Sequence, residues 1–375
     1  MNEAKKGIRL SDSQKLSWLR LIRSENVGPA TFRDLIAHCG SASDAIDMLP
    51  ELVRRGGGRR IRIASLDDAT REMAAAQAMG ATFIGIGEPD YPPYLRQSDN
   101  PPPLVAIKGN PDVFRLPPVA IVGARNASMV GIKFAGRIAR ELGQAGYAII
   151  SGLARGIDAA AHEASLDHGT VAAMAGGLDR PYPPENLALY RAIPERGGAV
   201  ISEMPFGWEP RARDFPRRNR IIAALSLGLV VVEAAERSGS LISARLAGEL
   251  GRLVFAVPGS PLDPRAKGTN ALLKSGAILT TTTDDIITAL SPLIERPFGE
   301  DAFLAPATDF PPINPPGETE RDHLTNLLGP VPAEVDDLIR TSGLHPSVVM
   351  LILLELDLAG RLERHSGGQV SLAYA

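Results

Sequence analysis

Ser151-Gly152-Leu153-Ala154-Arg155-Gly156-Ile157-Asp158 is the stretch whose residue types and spacing point most directly to chemistry. An apolar run from Tyr147 to Ile150 reads as a buried strand leading into it, and Ala159–Leu166 reads as the helix leading out. A strand that feeds a glycine-spaced loop opening a helix is how an α/β sheet holds an anion. The glycines let backbone approach the ligand, and the first N–H groups of the helix have no partner of their own. Arg155 adds a fixed charge inside the loop. The same spacing also fits a tight strand–helix turn in which Asp158 compensates the helix N-terminus.

A second stretch, Glu209 to Arg220, concentrates charge. Arg211, Arg213, Arg217, Arg218 and Arg220 place five arginines within ten residues, with Phe215 and Asn219 among them. Arginine forks pair with phosphate oxygens, asparagine offers amide donors and acceptors, and an exposed phenylalanine can stack on a base. The plainer reading puts Phe215 in the core and ties at least one arginine to backbone carbonyls or to Glu203.

Other chemistries fit poorly. Gly123-Ala124-Arg125 lacks the G-x-G-x-x-G spacing of a dinucleotide site and carries an arginine where a glycine is required. No glycine-lysine-serine/threonine follows a strand, so there is no P-loop. His162 lies four residues after Asp158 on one helical face, an arrangement that is usually structural. No group has zinc-ligand spacing and no serine sits in a nucleophile-elbow sequence. The residues therefore predict no catalytic residue, no metal and no cofactor.

The elements that must position these residues can be read in turn. From Val119 to about Leu290, apolar strands alternate with amphipathic helices. The strands lie near Val119–Gly123, Ala148–Ser151, Val171–Ala175, Ala199–Ser202, Leu229–Glu233, Leu253–Val257 and Ile278–Thr280. Continuous apolar strands are buried on both faces, which predicts an α/β fold with a Rossmann-like doubly wound parallel sheet. Ligands then bind beyond the strands' C-terminal ends, where the loops beginning at Gly123, Ser151, Ala175, Ser202, Glu233 and Val257 gather. Phe83–Ile86 and Leu104–Ile107 read as an extension of that sheet, the latter as an edge strand beginning after Pro101-Pro102-Pro103.

Toward the N-terminus, Ser11 or Asp12 can cap a helix carrying Leu16, Leu19 and Ile22, and Pro29 suits the first position of the next. Helix, glycine-containing turn, helix resembles the SAM-like and helix-hairpin-helix modules that hold DNA backbone, although a plain packed helical hairpin fits as well. Gly56-Gly57-Gly58, flanked by Arg54, Arg55, Arg59, Arg60 and Arg62, reads as a basic flexible loop and a possible phosphate contact. Pro292 to Glu318 is rich in proline and without period, a linker. Beyond it three helices and a hairpin resemble a winged-helix module. Its third helix, between Pro346 and Gly360, carries Glu355 and Asp357 and no lysine or arginine. That is wrong for a polyanion, so the module reads as a protein-contact or self-association domain. The expected domains are 1–80, helical; 81–291, the extended Rossmann-like sheet; 292–318, the linker; and 319–375, winged-helix-like.

Across its 375 residues the chain is 44% hydrophobic and 22% charged, with a net charge of −3. Attraction to nucleic acid must therefore be local. Cys39 alone excludes an internal disulfide and suits a reducing cytoplasm. Met1 to Arg9 has no apolar core and reads as no signal peptide, and Val348 to Leu354 is too short to cross a bilayer.

Taken together, the residues resemble the DNA-processing protein A family (DprA, or Smf) of bacterial transformation. The resemblance covers roughly Ser11 to Leu290. It rests on Gly123-Ala124-Arg125 with Ser128, the Ser151–Asp158 octet with His162, Tyr182-Pro183-Pro184-Glu185-Asn186, Ser202-Glu203, and Phe215-Pro216-Arg217-Arg218-Asn219-Arg220-Ile221-Ile222. Ser238-Gly239-Ser240-Leu241, Val257-Pro258-Gly259 and Gly268-Thr269-Asn270 complete it. Ala124, Met129-Val130 and Ala224 depart from it without removing a phosphate donor or a charge. The resemblance implies a cytoplasmic homodimer that binds single-stranded DNA without sequence preference and loads the RecA recombinase on it, beside single-strand-binding protein, with no enzymatic activity and no membrane. In that reading Gly123, Arg125, Ser128, Ser151, Gly152, Arg155 and Gly156 form the anion pocket. Arg211, Arg213, Phe215, Arg217, Arg218, Asn219 and Arg220 supply charge and stacking, and Ser238, Gly239 and Ser240 complete the rim. The resemblance also suggests that Gly268 to Leu279 helps make the dimer and recombinase surface. The alternative is a Rossmann-like phosphoribohydrolase, an enzyme class with a proline-glycine-glycine loop, glycine-threonine and a catalytic glutamate. Here Pro258-Gly259-Ser260 leads to Gly268-Thr269-Asn270, with asparagine in place of the acid.

Overall fold

Ser11 opens helix α1 (Asp12–Ile22) with a reciprocal cap: its hydroxyl accepts from the Gln14 amide, and the Gln14 side chain accepts from the Ser11 amide. Gly28 turns the chain into α2 (Pro29–Cys39), with Pro29 at the first position, and α3 (Ala42–Arg55) and α4 (Leu66–Ala78) follow. The computed structural model describes residues 9–294 and 316–373. These form two compact units, Arg9 with residues 71–294, and residues 10–70 with 316–373.

The larger unit begins with β1 (Ala81–Gly85), α5 (Pro93–Arg96) and β2 (Leu104–Gly109). The alternation then runs β3 (Pro118–Val122), α6 (Met129–Gln144), β4 (Ala148–Ser151), α7 (Ile157–Ser165), β5 (Thr170–Ala173), α8 (Leu187–Glu195) and β6 (Ala199–Ser202). It continues with α9 (Asp214–Ala224), β7 (Gly228–Val231), α10 (Gly239–Glu249), β8 (Leu253–Ala256), α11 (Lys267–Lys274), β9 (Ile278–Leu279) and α12 (Thr283–Ile294).

Nine strands lie in the order β1-β2-β6-β5-β4-β3-β7-β8-β9. Strands β3 to β9 are parallel, and β1 and β2 join β6 by antiparallel pairing. Both faces are buried because neighbouring residues of one strand serve opposite cores. Ala120 and Val122 of β3 pack with Ile221 and Ile222 of α9 and Ala244 of α10. Val119 and Ile121 pack with Ile138 and Leu142 of α6 and Ile286 and Leu290 of α12. This is the doubly wound sheet that the apolar runs predict. One expectation is corrected: β2 is an inner strand, and β1 takes the edge. Pro101–Pro103 end before the ladder begins, so they remove no hydrogen bond from it.

In the smaller unit α13 (Glu318–Leu327), β10 (Ala333–Glu334), α14 (Val335–Ser342), α15 (Pro346–Leu358), β11 (Leu362–Arg364) and β12 (Gln369–Leu372) form a winged helix with strand order β10-β12-β11. Helix α15 is apolar over most of its circumference, with Glu355 and Asp357 its acids, a pattern that needs cover on more than one side. Val349, Ile352, Leu353 and Leu356 pack into the winged-helix core with Leu324 and Leu338. Leu351, Leu354 and Leu358 enter a second core with Phe32 and Leu35 of α2 and Leu49, Leu52 and Val53 of α3. The N-terminal helices and the winged helix, read from sequence as separate domains, thus share one compact unit. Of the expected linker, Pro292 to Ile294 belong to α12, and residues 295–315 lie outside the described residues.

Candidate nucleic-acid interface

The first two post-strand loops, after β3 and β4, meet backbone to backbone. Gly156 has φ of 76°, and a Cβ there would sit 2.7 Å from the Arg125 carbonyl oxygen, so only glycine lets the loops close. Leu153 also takes a left-handed conformation, with φ of 57°, which a side-chain-bearing residue keeps only when neighbours hold it. They do. The Asp158 carboxylate accepts from the Gly152 and Ala154 amides at 3.1 and 3.3 Å, and the Asn186 side chain donates to the Leu153 and Ala154 carbonyls at 2.8 and 3.1 Å.

These contacts decide between the two readings of the octet. The Gly152 and Ala154 amides are filled by Asp158, and the Ile157 and Ala159 amides by the Ala124 and Ala154 carbonyls. Ser151, wholly buried, donates to the Ile121 carbonyl at 2.6 Å. The tight turn with Asp158 as internal anion is what forms, because a carboxylate covalently tethered nearby reaches those amides first. The Gly152 and Ala154 amides are thus taken from a ligand, and the exposed Arg155 side chain is the charge that the loop offers to one.

Asp158 is fully enclosed, and burial pushes its carboxyl upward while the Arg218 charge and the two amides oppose the shift. Burial brings the Arg218 guanidinium down to about 10. Arg218 donates to the Gly152 carbonyl, and to the Ala173 carbonyl at 2.7 Å, joining the C-terminal ends of β4 and β5. It is 5% exposed. The expectation that Arg218 meets phosphate directly is therefore corrected: it is a fixed internal cation. Its neighbour Asn219 is likewise buried and donates to the Gly239 carbonyl at 3.2 Å.

Above this pair lies a cavity of about 340 Å³ lined by Arg125, Asn126, Gly152, Ala154, Arg155, Tyr182, Pro183 and Phe215. Phe215 stands at the start of α9, where buried Asp214 accepts from the Arg211 amide at 2.8 Å and the Trp208 indole N–H at 2.9 Å. The Phe215 ring has the Arg125 guanidinium 4.9 Å from its centroid and Arg218 at 5.9 Å, with Tyr182 edge-on at 5.7 Å. Arg155 pairs with Glu185 at 2.7 Å in the open. An exposed pair of that kind contributes at most about 1 kcal/mol, so a phosphate can displace the carboxylate.

The remaining arginines divide. Arg217 and Arg220 both pair with nearly buried Glu203, Arg217 at 2.9 Å, and Arg220 also donates to the Asn100 carbonyl at 3.0 Å. Arg211 lies over the Trp208 ring at 4.9 Å and is exposed, as is Arg213. The plainer sequence reading thus holds for Arg217, Arg218 and Arg220, while Phe215 lines the cavity.

Several expected pocket residues lie elsewhere. Ser128 caps α6 by accepting from the Gly131 amide at 2.9 Å, and its hydroxyl and amide both donate to Glu233. It lines a separate cavity of about 450 Å³ with Phe134, Glu233, Val257 and Thr280. This larger cavity sits beside the switch point between β3 and β7, a common ligand position, but the Glu233 carboxylate disfavours a polyanion. Gly123 is required by packing, since a Cβ would press on Ile157 at 2.6 Å. Ser238 caps α10, accepts from the Ser240 amide at 3.3 Å and shares a hydroxyl contact with Ser240 at 2.6 Å. Sequence reasoning missed Asn126 and Tyr182 as lining residues, although Tyr182 opened a quoted motif and Asn126 followed Arg125.

His162 is wholly buried. Thr170 donates to the Ile149 carbonyl, so the imidazole Nδ1–H donates to Thr170 at 2.7 Å and Nε2 is left bare. Burial holds it down to about 3. Among the described residues no cluster of histidine, cysteine, aspartate or glutamate could hold a metal ion, and no helix is long and apolar enough to cross a membrane.

Residues 82–291 match the family model of the DNA recombination-mediator protein A, residues 12–75 that of the DprA-like N-terminal HHH domain, and residues 308–368 that of the DprA winged helix domain. Protein Smf of Escherichia coli K12 is 38% identical over 296 residues, covering 76% of each chain. DNA processing protein DprA of Bacillus subtilis is 39% identical over 223 residues, 59% of this chain and 75% of that one. The X-ray structure of DprA from Streptococcus pneumoniae superposes with a TM-score of 0.60 at 32% identity, covering 75% of this chain and 98% of its own. A structure of DNA processing protein A from Helicobacter pylori, reported for its single-stranded DNA binding mode, gives 0.51 at 29% identity over 56% of this chain and 96% of its own. With its central sheet, N-terminal helices and winged helix all matched in order, the chain belongs to the DprA/Smf family.

Proposed function

We propose that the cavity around Phe215 and the exposed arginines beside it bind single-stranded DNA without sequence preference, and that the chain loads the RecA recombinase on that strand. The observation that carries this reading is the Phe215 ring in the cavity wall, with the exposed Arg125 guanidinium 4.9 Å from its centroid and Tyr182 at its edge. Rings that stack on any base, bordered by cations that meet any phosphate, favour single strands over duplex and ignore sequence. The Helicobacter pylori relative's reported single-strand binding and the family's description as a recombination mediator support the same reading. The chain works as a non-enzymatic cytoplasmic homodimer on strands that single-strand-binding protein already covers, during DNA uptake in transformation. Asn270 argues against the hydrolase alternative. Its side chain accepts from the Gly259 amide at 3.2 Å and donates to the Gly259 carbonyl at 2.9 Å, a loop clamp at the place where that enzyme class carries its acid.

The test is strand-dependent ATP hydrolysis by RecA on strands coated with single-strand-binding protein, with this chain added below saturation. Faster onset is expected. Inhibition at every ratio, with DNA binding by the chain confirmed, would refute loading. Release of base from nucleoside monophosphates would instead favour the enzyme.

A further inference from the structure

Gly56-Gly57-Gly58 has no place in the single-strand site, yet its surroundings are specific. The C-terminal turn of α15 sits directly on it. A Cβ at Gly56 would overlap the Glu355 carbonyl, and one at Gly58 would lie 3.2 Å from Ala359. The Arg361 side chain donates to the Gly56 carbonyl at 3.0 Å. Around this seat the N-terminal helices supply matched polar partners. Asn26 donates to the Leu358 carbonyl, the last of the helix, at 3.0 Å, and the Thr31 hydroxyl donates to Asp357 at 2.9 Å. Arg364 bridges Asp357 at 2.8 Å and Asp34 at 2.9 Å, one carboxylate from each module. Leu351, Leu354 and Leu358 fill the centre. An apolar centre, a polar rim with donors meeting acceptors, and glycines where backbones touch are the features of a specific protein interface.

We propose that the triple glycine is the seat of the winged helix's third helix, and that the partner of that helix is the chain's own N-terminal module. Helix α15 thereby serves as a docking helix, and the surface that a winged helix would lay in a DNA groove is occupied by protein. The glycines there serve close packing against α15, while Arg54 and Arg55 on the preceding turn pair with Glu51.

Hydrogen exchange on the full chain tests this. Gly56 has φ of −72°, which any residue adopts, so Gly56→Val challenges the close approach and leaves the turn itself unstrained. Exchange in residues 346–358 and in α2 and α3 is expected to rise together by about tenfold, while the strands of the large sheet stay unchanged. Arg364→Met, made on the other side, is expected to reproduce that paired rise. A rise confined to the segment carrying the substitution, or none in either variant, overturns the proposal. A mixed-sequence duplex added to the unaltered chain is expected to leave residues 346–358 as they were; protection there would mark a DNA-reading helix and equally overturn it.

Discussion

Arg125 and Arg218 both lie within 6 Å of the Phe215 ring centroid, and their burial separates what each can do. Arg125 is exposed and lines the cavity. Arg125→Ala is expected to weaken single-strand binding, to flatten the log affinity against log salt slope by about 0.7, and to leave melting unchanged. Arg218→Ala is expected to act on the fold. It removes the charge that offsets enclosed Asp158 and leaves the Gly152 and Ala173 carbonyls without that donor, and each buried polar group left unsatisfied costs about 1–3 kcal/mol. Thermal melting should fall sharply and recover in part when Asp158→Asn is added; an unaltered melt would refute the structural role of Arg218. The sequence could show that arginines gather at Arg211–Arg220 but not which ones turn inward, because that depends on where Glu203 and the ends of β4 and β5 fall in three dimensions. The Ser151–Asp158 octet was readable as an anion-holding turn. That its anion is its own Asp158 was one of two open readings until the Gly152 and Ala154 amides could be located.

Helix α7 joins these residues to a titrating interior. In the unfolded chain His162 takes up a proton near 6.5, whereas in the fold it stays neutral to about 3. Its contribution is therefore fully present above pH 6.5 and is lost as pH falls, by up to about 1.4 kcal/mol per pH unit. Asp158 has the opposite sense, since its raised carboxyl favours the fold on acidification. The difference between the unaltered chain and His162→Gln in melting temperature from pH 7 to pH 4 isolates the imidazole; parallel curves would mean it is solvated. The strands of this sheet were readable nearly to the residue, because parallel strands buried on both faces are continuous apolar runs. The order of β1 and β2 was not, since prolines mark where a strand begins and say nothing about which side its partner takes.

The composite unit changes what truncation does. Removing everything after Ile294 is expected to leave single-strand affinity unchanged, because the cavity belongs to residues 125–215. The same cut uncovers α2 and α3 by withdrawing Leu351, Leu354 and Leu358, each worth about 1.5–3 kcal/mol when buried. Binding of a hydrophobic dye and faster amide exchange in α1 to α3 are expected, and neither should change if the two ends are independent.

That shared core has a bearing on synthesis. Arg364 meets Asp34 across 330 positions of sequence. At about 5–20 residues per second, a ribosome needs roughly 15 s to a minute to make that stretch. The large sheet can condense during that interval, while α2 and α3, made before it, wait with an apolar face that α15 covers. That part of the core closes only once a helix made after the sheet arrives, so until α15 emerges the apolar face of α2 and α3 stays open to a holdase.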